Sequence, residues 1–258
     1  MPSRSRQHGV SDMTLAMNKA AMKHCIQAVP LFAGVAESQM DLLVADSRLV
    51  AFKKGARIFE EGTAAECCYV LTEGKARVVL AGSRGTEILL QILVPAALVG
   101  ELALLDGSTR SASLIAAEAC QLIRISAAAF GRLRQDAAFE QRLVAGLLAL
   151  MRAADDRVRV ISSFPSAQRV AWCLGRIARL SGRRDDSAIV IPKPPHNELA
   201  QMAGCTRETV SRTLNLLQRK KYLSWDHDQM RIDVIAMQRL LNTELEVPNQ
   251  SKPRPGLS

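Results

Sequence analysis

The chain lacks the paired thiols and grouped imidazoles that commonly hold metals. Its six cysteines, Cys25, Cys67, Cys68, Cys120, Cys173 and Cys205, form no Cys-x-x-Cys pair, and His8, His24, His196 and His227 are scattered. Free thiols acting as small hydrophobes are expected, although Cys25, Cys67 or Cys68, and Cys120 could converge on zinc or an iron–sulfur cluster. No Ser/His/Asp set, Walker loop, His-Glu-x-x-His or Gly-x-Gly-x-x-Gly is found, so enzymatic activity is not expected. A basic-then-apolar leader is also missing. The most apolar stretch, Ile88–Leu105, is broken by Gln91, Pro95, Gly100 and Glu101. It reads as buried sheet rather than a membrane span, which predicts a cytoplasmic protein with no membrane partner.

What is present is size and positive charge. A chain of 258 residues can bury a sizeable core and divide into two domains. The formal net charge is +9, which points to a polyanionic partner. From Pro165 to Ser258 there are 15 Lys and Arg against 9 Asp and Glu, and from Thr206 to Lys221 there are 5 against 1.

The polar stretch over residues 1–15 is expected to be irregular, and Leu15–Ala28 and Ser38–Ser47 to be helical, the latter with Met40, Leu43 and Val44 on one face. Short apolar runs then follow at Leu49–Phe52, Arg57–Phe59, Cys68–Leu71, Ala76–Leu80, Glu87–Leu93, Ala112–Ala116 and Cys120–Ile125, with glycines between them. Short strands at this spacing predict an antiparallel sandwich or barrel ending near Ser126. Ala127–Ser163 reads as one long helix. Leu143, Leu147, Leu150, Ala154 and Ile161 form a seam, and Val144, Leu148, Met151 and Val158 form a second apolar stripe. A helix apolar on two faces must bury both, one on its own domain and one on a partner helix, so a homodimer is expected.

Pro165 interrupts that helix because proline disfavours helix for the residue before it. Ser166–Leu180 is the next helix, with Ser166 as N-cap. Ser181–Asp186 reads as a charged turn and Ile189–Ile191 as a short strand. Asn197–Ala203 and Thr206–Lys220 are two helices joined by Gly204, with Thr206 as N-cap of the second. Leu223–Trp225 and Met230–Ile232 form a two-stranded wing.

Two motifs carry chemistry. The first is Gly204-Cys-Thr-Arg-Glu-Thr-Val-Ser-Arg212. A helix opening with Arg207, Glu208, Ser211 and Arg212 after a short helix and a Gly turn reads as a DNA recognition helix. Arginine can donate twice to a guanine edge, and glutamate can accept from a cytosine amino group. Taken alone, these residues could equally be a solvated helix terminus. The second runs from Val99 to Ala112, with Gly100, Glu101 and Leu102 at its start and Arg110 and Ser111 near its end. Glu101 can accept from a ribose hydroxyl, and Arg110 with Ser111 can hold a cyclic phosphate. Alone, Glu101 and Arg110 could also be a buried ion pair closing a loop.

Together these motifs resemble the cyclic-AMP receptor protein / fumarate–nitrate regulator superfamily of bacterial transcription factors. The resemblance covers residues 31 to about 235. It rests on Gly100-Glu-Leu-Ala103 with Arg110-Ser-Ala112, on the turns at Gly55-x-x-Ile58-Phe59-x-Glu61-Gly62 and Tyr69-Val-Leu-x-Glu-Gly74, and on Asn197 to Arg212. It implies an α+β fold with a jelly-roll-like antiparallel β-barrel at 31–126 after a 1–30 leader. A dimerisation helix at 127–164, a winged helix-turn-helix at 165–246 and a disordered tail at 247–258 follow. It implies a cyclic nucleotide effector, cyclic AMP ahead of cyclic di-GMP. Gly100 would give close backbone approach, Glu101 would hold the ribose, and Arg110 and Ser111 the phosphate. Arg207, Glu208 and Arg212 would read bases in a two-fold DNA operator, while Arg219, Lys220, Lys221 and Arg169 contact phosphates. RNA polymerase is the expected further partner. The Arg-Glu pair resembles the branch reading TGTGA-like half-sites, whereas Ser211-Arg212 is shared with the other branch.

Three positions depart from the family pattern. Pro95-Ala96-Ala97 stands where Gly-Asp usually follows the proline, Val99 replaces a Phe, and Ala154-Asp155 occupies the place of a hydroxyl pair that contacts adenine. Asp155 could accept from an adenine amino group or from the N–H pair of a guanine, or stay solvated, so the base stays open. Constitutive binding, a redox or metal signal through cysteine, and a nucleotide-binding scaffold without a transcriptional role are the alternatives.

Overall fold

The computed structural model describes residues 17–82, 87–185, 188–233 and 235–236. Residues 1–15, expected to be irregular, and 247–258, expected to be a disordered tail, lie outside them. The chain divides into two compact units between Asp155 and Asp156.

The first unit opens with α1 (Lys19–Gln27), a 3-10 turn (Pro30–Phe32) and α2 (Glu37–Ala45). The Asn18 side chain caps α1 by accepting from the Ala21 amide at 2.7 Å. Met40, Leu43 and Val44 of α2 are buried as the apolar spacing required. Strands β1 (Ser47–Phe52), β2 (Arg57–Phe59), β3 (Cys67–Glu73), β4 (Ala76–Ala81), β5 (Glu87–Leu93) and β6 (Ala97–Val99) follow. The short helix α3 (Leu102–Asp106) separates them from β7 (Ser113–Ala116) and β8 (Cys120–Ser126). They form two antiparallel sheets of order β1-β8-β3-β6 and β2-β7-β4-β5, the jelly-roll-like arrangement expected. β3 explains why its sequence shows no polar alternation. Cys67, Tyr69 and Leu71 belong to one apolar cluster with Leu93, Leu114 and Leu122, while Cys68 and Val70 belong to another with Ile26, Phe32 and Phe139. A strand buried on both faces reads as a continuous apolar run.

The predicted long helix is two helices, α4 (Ala127–Leu133) and α5 (Ala137–Ser163). Ser126 caps the first by accepting from the Ala129 amide at 3.1 Å, and Asp136 restarts the second by accepting from the Phe139 amide at 2.8 Å. Local side-chain bonding at Asp136 therefore breaks a run that apolar spacing alone would continue. Phe139 and Leu143 anchor the start of α5 in the first unit's core. Val144, Leu148, Leu150, Met151 and Val158 remain exposed.

The second unit contains α6 (Ser166–Ser181), β9 (Arg183–Asp185), β10 (Ala188–Pro192), α7 (His196–Ala203), α8 (Arg207–Arg219), β11 (Leu223–Trp225) and β12 (Gln229–Asp233). Its sheet has order β11-β12-β10-β9. Two expectations are corrected. Pro165, not Ser166, is the N-cap of α6, and the Ser166 hydroxyl accepts from Arg169 instead. Part of the predicted charged turn is β9, an edge strand whose polar residues pair with β10 through main-chain bonds that side-chain pattern does not report.

Candidate functional sites

The first site is built around the turn at Gly100. Its φ of +84° is a left-handed conformation that favours glycine, and an added Cβ would lie 2.6 Å from Nη1 of Arg110. Arg110 is only 4 % exposed. Its guanidinium donates to the Gly100 carbonyl at 2.5 Å and to the Cys67 carbonyl at 2.6 Å, and lies 4.3 Å over the Phe59 ring. Phe59 in turn stacks on Tyr69, with centroids 6.1 Å apart. Among the described residues, Nε of Arg110 is buried with no partner. A buried cation with a spare donor fits an anion.

Glu101 is buried beside this group. Burial raises its pKa, while its own main-chain N–H and Arg110 pull the other way. Arg110 gives its donors to main-chain carbonyls, and no ion pair with Glu101 forms among the described residues. The reading of these two as a simple closed ion pair is thereby disfavoured. Leu102 and Ser111 are exposed beside them. Asp155 is exposed on α5 and forms no hydrogen bond or ion pair among the described residues, so the structure does not tie it to the cassette. Cys67, which sequence reasoning treated as core, is the missed neighbour, with its Sγ 3.8 Å from Arg110. Burial raises the Cys120 thiol to about 11 and the Cys173 thiol to about 12.

The second site is the α7–turn–α8 unit. Gly204 adopts φ 57° and ψ 45°, the left-handed C-cap that lets α8 leave at an angle. Thr206 caps α8, accepting from the Thr209 amide at 3.3 Å. Val210, Leu214 and Leu217 bury one face of α8 against Leu199 and Ala203. The opposite face leaves Arg207, Glu208, Arg212, Arg219 and Lys220 exposed, with Lys221 just beyond. Glu208 is held below the usual carboxylate range by its own main-chain N–H, by Thr206, and then by Arg207 and Arg212. It is therefore ionised at neutral pH and acts only as an acceptor. Ser211 differs from its neighbours, being half-buried with its hydroxyl 2.9 Å from Nδ1 of His196. The wing tip is shaped by Asp226, which accepts from the amides of Asp228 at 3.1 Å and Gln229 at 2.9 Å.

Arg169 is tied into its own unit. Its guanidinium donates to the Ile161 carbonyl at 3.1 Å, the Ser166 hydroxyl at 3.2 Å and the Gly204 carbonyl at 3.2 Å, while its Nε is buried without a partner among the described residues. Among the described residues no group of three His, Cys, Asp or Glu could hold a metal, and no helix is long and apolar enough to cross a membrane.

Residues 49–137 match the cyclic nucleotide-binding domain, and residues 168–243 match the Crp-like helix-turn-helix domain. The cyclic AMP receptor protein of Thermus thermophilus is 32 % identical over 189 residues, covering 73 % of this chain and 85 % of that protein. The cAMP-activated global transcriptional regulator CRP of Escherichia coli O157:H7 is 28 % identical over 169 residues, covering 65 % and 80 %. FixK2 of Bradyrhizobium japonicum shares the fold, with a TM-score of 0.67 at 21 % identity over 76 % of this chain and 96 % of that one. The chain thus belongs to the Crp/Fnr family of transcription regulators, with a cyclic nucleotide-binding domain followed by a helix-turn-helix DNA-binding domain.

Proposed function

We propose that this regulator is a homodimer whose operator binding is controlled by a cyclic nucleotide, cyclic AMP first among candidates, held at Glu101 and Arg110. The observation that carries this reading is the buried Arg110 guanidinium with an orphaned Nε beside a glycine turn. A ligand phosphate would supply the missing acceptor, and a ribose hydroxyl would donate to the buried Glu101 carboxylate. The name of the Thermus relative supports cyclic AMP as the nucleotide. In this division of labour residues 31–126 bind effector, 127–164 dimerise and 165–246 bind DNA. The apolar residues left exposed on α5, Val144, Leu148, Met151 and Val158, support self-association. The effector would act by shifting the packing of the two α5 helices and so the spacing of the two α8 helices, which a two-fold operator reads at one helical turn. RNA polymerase is the expected further partner of such a regulator.

Calorimetric titration with cyclic AMP, cyclic GMP and cyclic di-GMP, paired with operator binding at each saturation, tests the reading. Heat with cyclic AMP and tighter operator binding are expected. Tight operator binding with no heat from any nucleotide would overturn the effector role while leaving DNA binding intact.

A further inference from the structure

The bond between Ser211 and His196 spans the two helices of the DNA-binding motif. His196 is the first residue of α7, and Ser211 lies on the second turn of α8. Their 2.9 Å contact joins two half-buried side chains. Around it, Arg207, Glu208 and Arg212 are exposed. Burial, then Lys193 and Arg207, lower the pKa of His196, so its ring is neutral at pH 7.

A neutral imidazole has one donor and one acceptor nitrogen, and a serine hydroxyl has one proton. If Nδ1 accepts, the only proton of Ser211 is committed to the ring. If Nδ1 donates, the hydroxyl is oriented by that bond. Where Nδ1 accepts, a donation from Ser211 to a base edge would first break this bond and leave a half-buried ring nitrogen unpaired. Where Nδ1 donates, the bond pins the hydroxyl oxygen against the ring but leaves its proton free. The arginines and Glu208 carry no such commitment to His196.

We propose that His196 is a positioning residue for specificity: its Nδ1 accepts the Ser211 proton, withdraws that donor from the base edges and leaves Arg207, Glu208 and Arg212 to read the half-site. The inference deepens the DNA-binding role proposed above and rests on it. Two arginines and one ionised glutamate favour guanines and a cytosine at the contacted positions, because guanine offers two acceptors and cytosine an amino donor in the major groove.

Selection from random duplex DNA with the full chain, with and without cyclic AMP, tests this in four proteins: the unaltered chain, Ser211→Ala, His196→Ala and the double variant. Ser211→Ala is expected to keep the same ranking of bases, with discrimination at each position within about twofold. His196→Ala frees the hydroxyl and is expected to change preference at one base pair by roughly fivefold, the order of one hydrogen bond. The double variant then returns to the original profile, which a merely structural role for His196 would not produce. A loss of about tenfold or more at one base pair in Ser211→Ala, or an unchanged profile in His196→Ala, overturns the inference alone. If the unaltered chain selects no sequence, the DNA-reading role falls and the inference falls with it. Ser211→Ala is a small truncation, so its profile is decisive even if His196→Ala proves unstable.

Discussion

Arg169 donates to the main-chain carbonyl of Gly204 at 3.2 Å, across 35 residues of sequence. The same guanidinium holds the carbonyl of Ile161 near the end of α5. One side chain thus fastens the last turn of α5, the start of α6 and the turn that aims the recognition helix. Arg169→Ala strips donors from both carbonyls and is expected to destabilise the second unit by about 2 kcal/mol, as for hydrogen bonds from a charged group. Denaturant melts measure that loss. The dependence of DNA affinity on salt is expected to stay unchanged, because both terminal nitrogens of Arg169 already donate to protein acceptors. Lys220→Ala, at an exposed cation, is expected to lower the salt slope by about one without altering the melt.

The buried Glu101 gives a pH signature. Its pKa is raised in the folded chain, chiefly by burial. The unfolded chain therefore releases this proton first as pH rises. The stability contribution is fully present below the unfolded value and is lost as pH climbs through the folded one, where burial must accommodate a charge. Glu101→Gln removes that dependence. Thermal melts of the empty protein from mildly acidic to neutral pH are expected to show the variant gaining on the unaltered chain as pH rises. Cyclic AMP binding at pH 7 is expected to weaken by about tenfold, the order of one charge-assisted hydrogen bond. A pH-independent difference in melting would assign the Glu101 charge no energetic role.

Ala96 lies in the turn before the cassette with φ 68°, a left-handed conformation that costs a residue with a Cβ roughly 1 kcal/mol. The family pattern places glycine there. Ala96→Gly is expected to raise the stability of the first unit by somewhat less than that, about 0.5–1 kcal/mol, since the unfolded glycine chain also gains entropy. A denaturant midpoint shift at constant slope is the check.

Much of the architecture was legible because apolar period and turn chemistry agree, as in β5, whose predicted bounds Glu87–Leu93 are those observed. The misses share a cause: the deciding partner is distant or is main chain. β6 has three residues and exists because Ala97–Val99 pairs with Leu71–Tyr69. β9 carries Arg183, Arg184 and Asp185, which side-chain pattern assigns to a turn. At the sites, Gly100, Glu101 and Arg110 were brought together as their spacing implied. The orphaned Nε of Arg110 and its seat on Phe59 were not readable, since they depend on how distant turns meet. The protein acceptors of Arg169 were not readable either, because nothing in one helix's sequence names carbonyls 8 residues before it and 35 after.

Val158 is 67 % exposed and Met151 57 % exposed on α5, a large apolar surface for a helix whose start is anchored in a core. Covering these residues with a second α5 is the basis of the proposed dimer. A lysine in such a seam leaves an ammonium among apolar groups without a partner. Met151→Lys with Val158→Lys is expected to raise the dimer dissociation constant by more than about tenfold, an effect above 1.4 kcal/mol. Sedimentation velocity over a concentration series measures it. A dimer unchanged by both substitutions would place the interface elsewhere.

Arg207 is the first residue of α8, exposed and next to the ionised Glu208. Removing a bidentate arginine costs about 1–3 kcal/mol of discrimination against the wrong base, whereas removing a phosphate contact weakens all sequences alike. Arg207→Ala is therefore expected to lose roughly ten- to hundredfold affinity for the selected operator, with a much smaller loss on random duplex. The loss should be confined to one base pair per half-site in competition assays. Thr206 still caps α8 in this variant, because it accepts from Thr209 rather than from Arg207. The helix is thus retained, and the affinity change reports on the missing guanidinium. An equal loss on operator and random DNA would assign Arg207 to the phosphate backbone and leave Glu208 and Arg212 as the base readers.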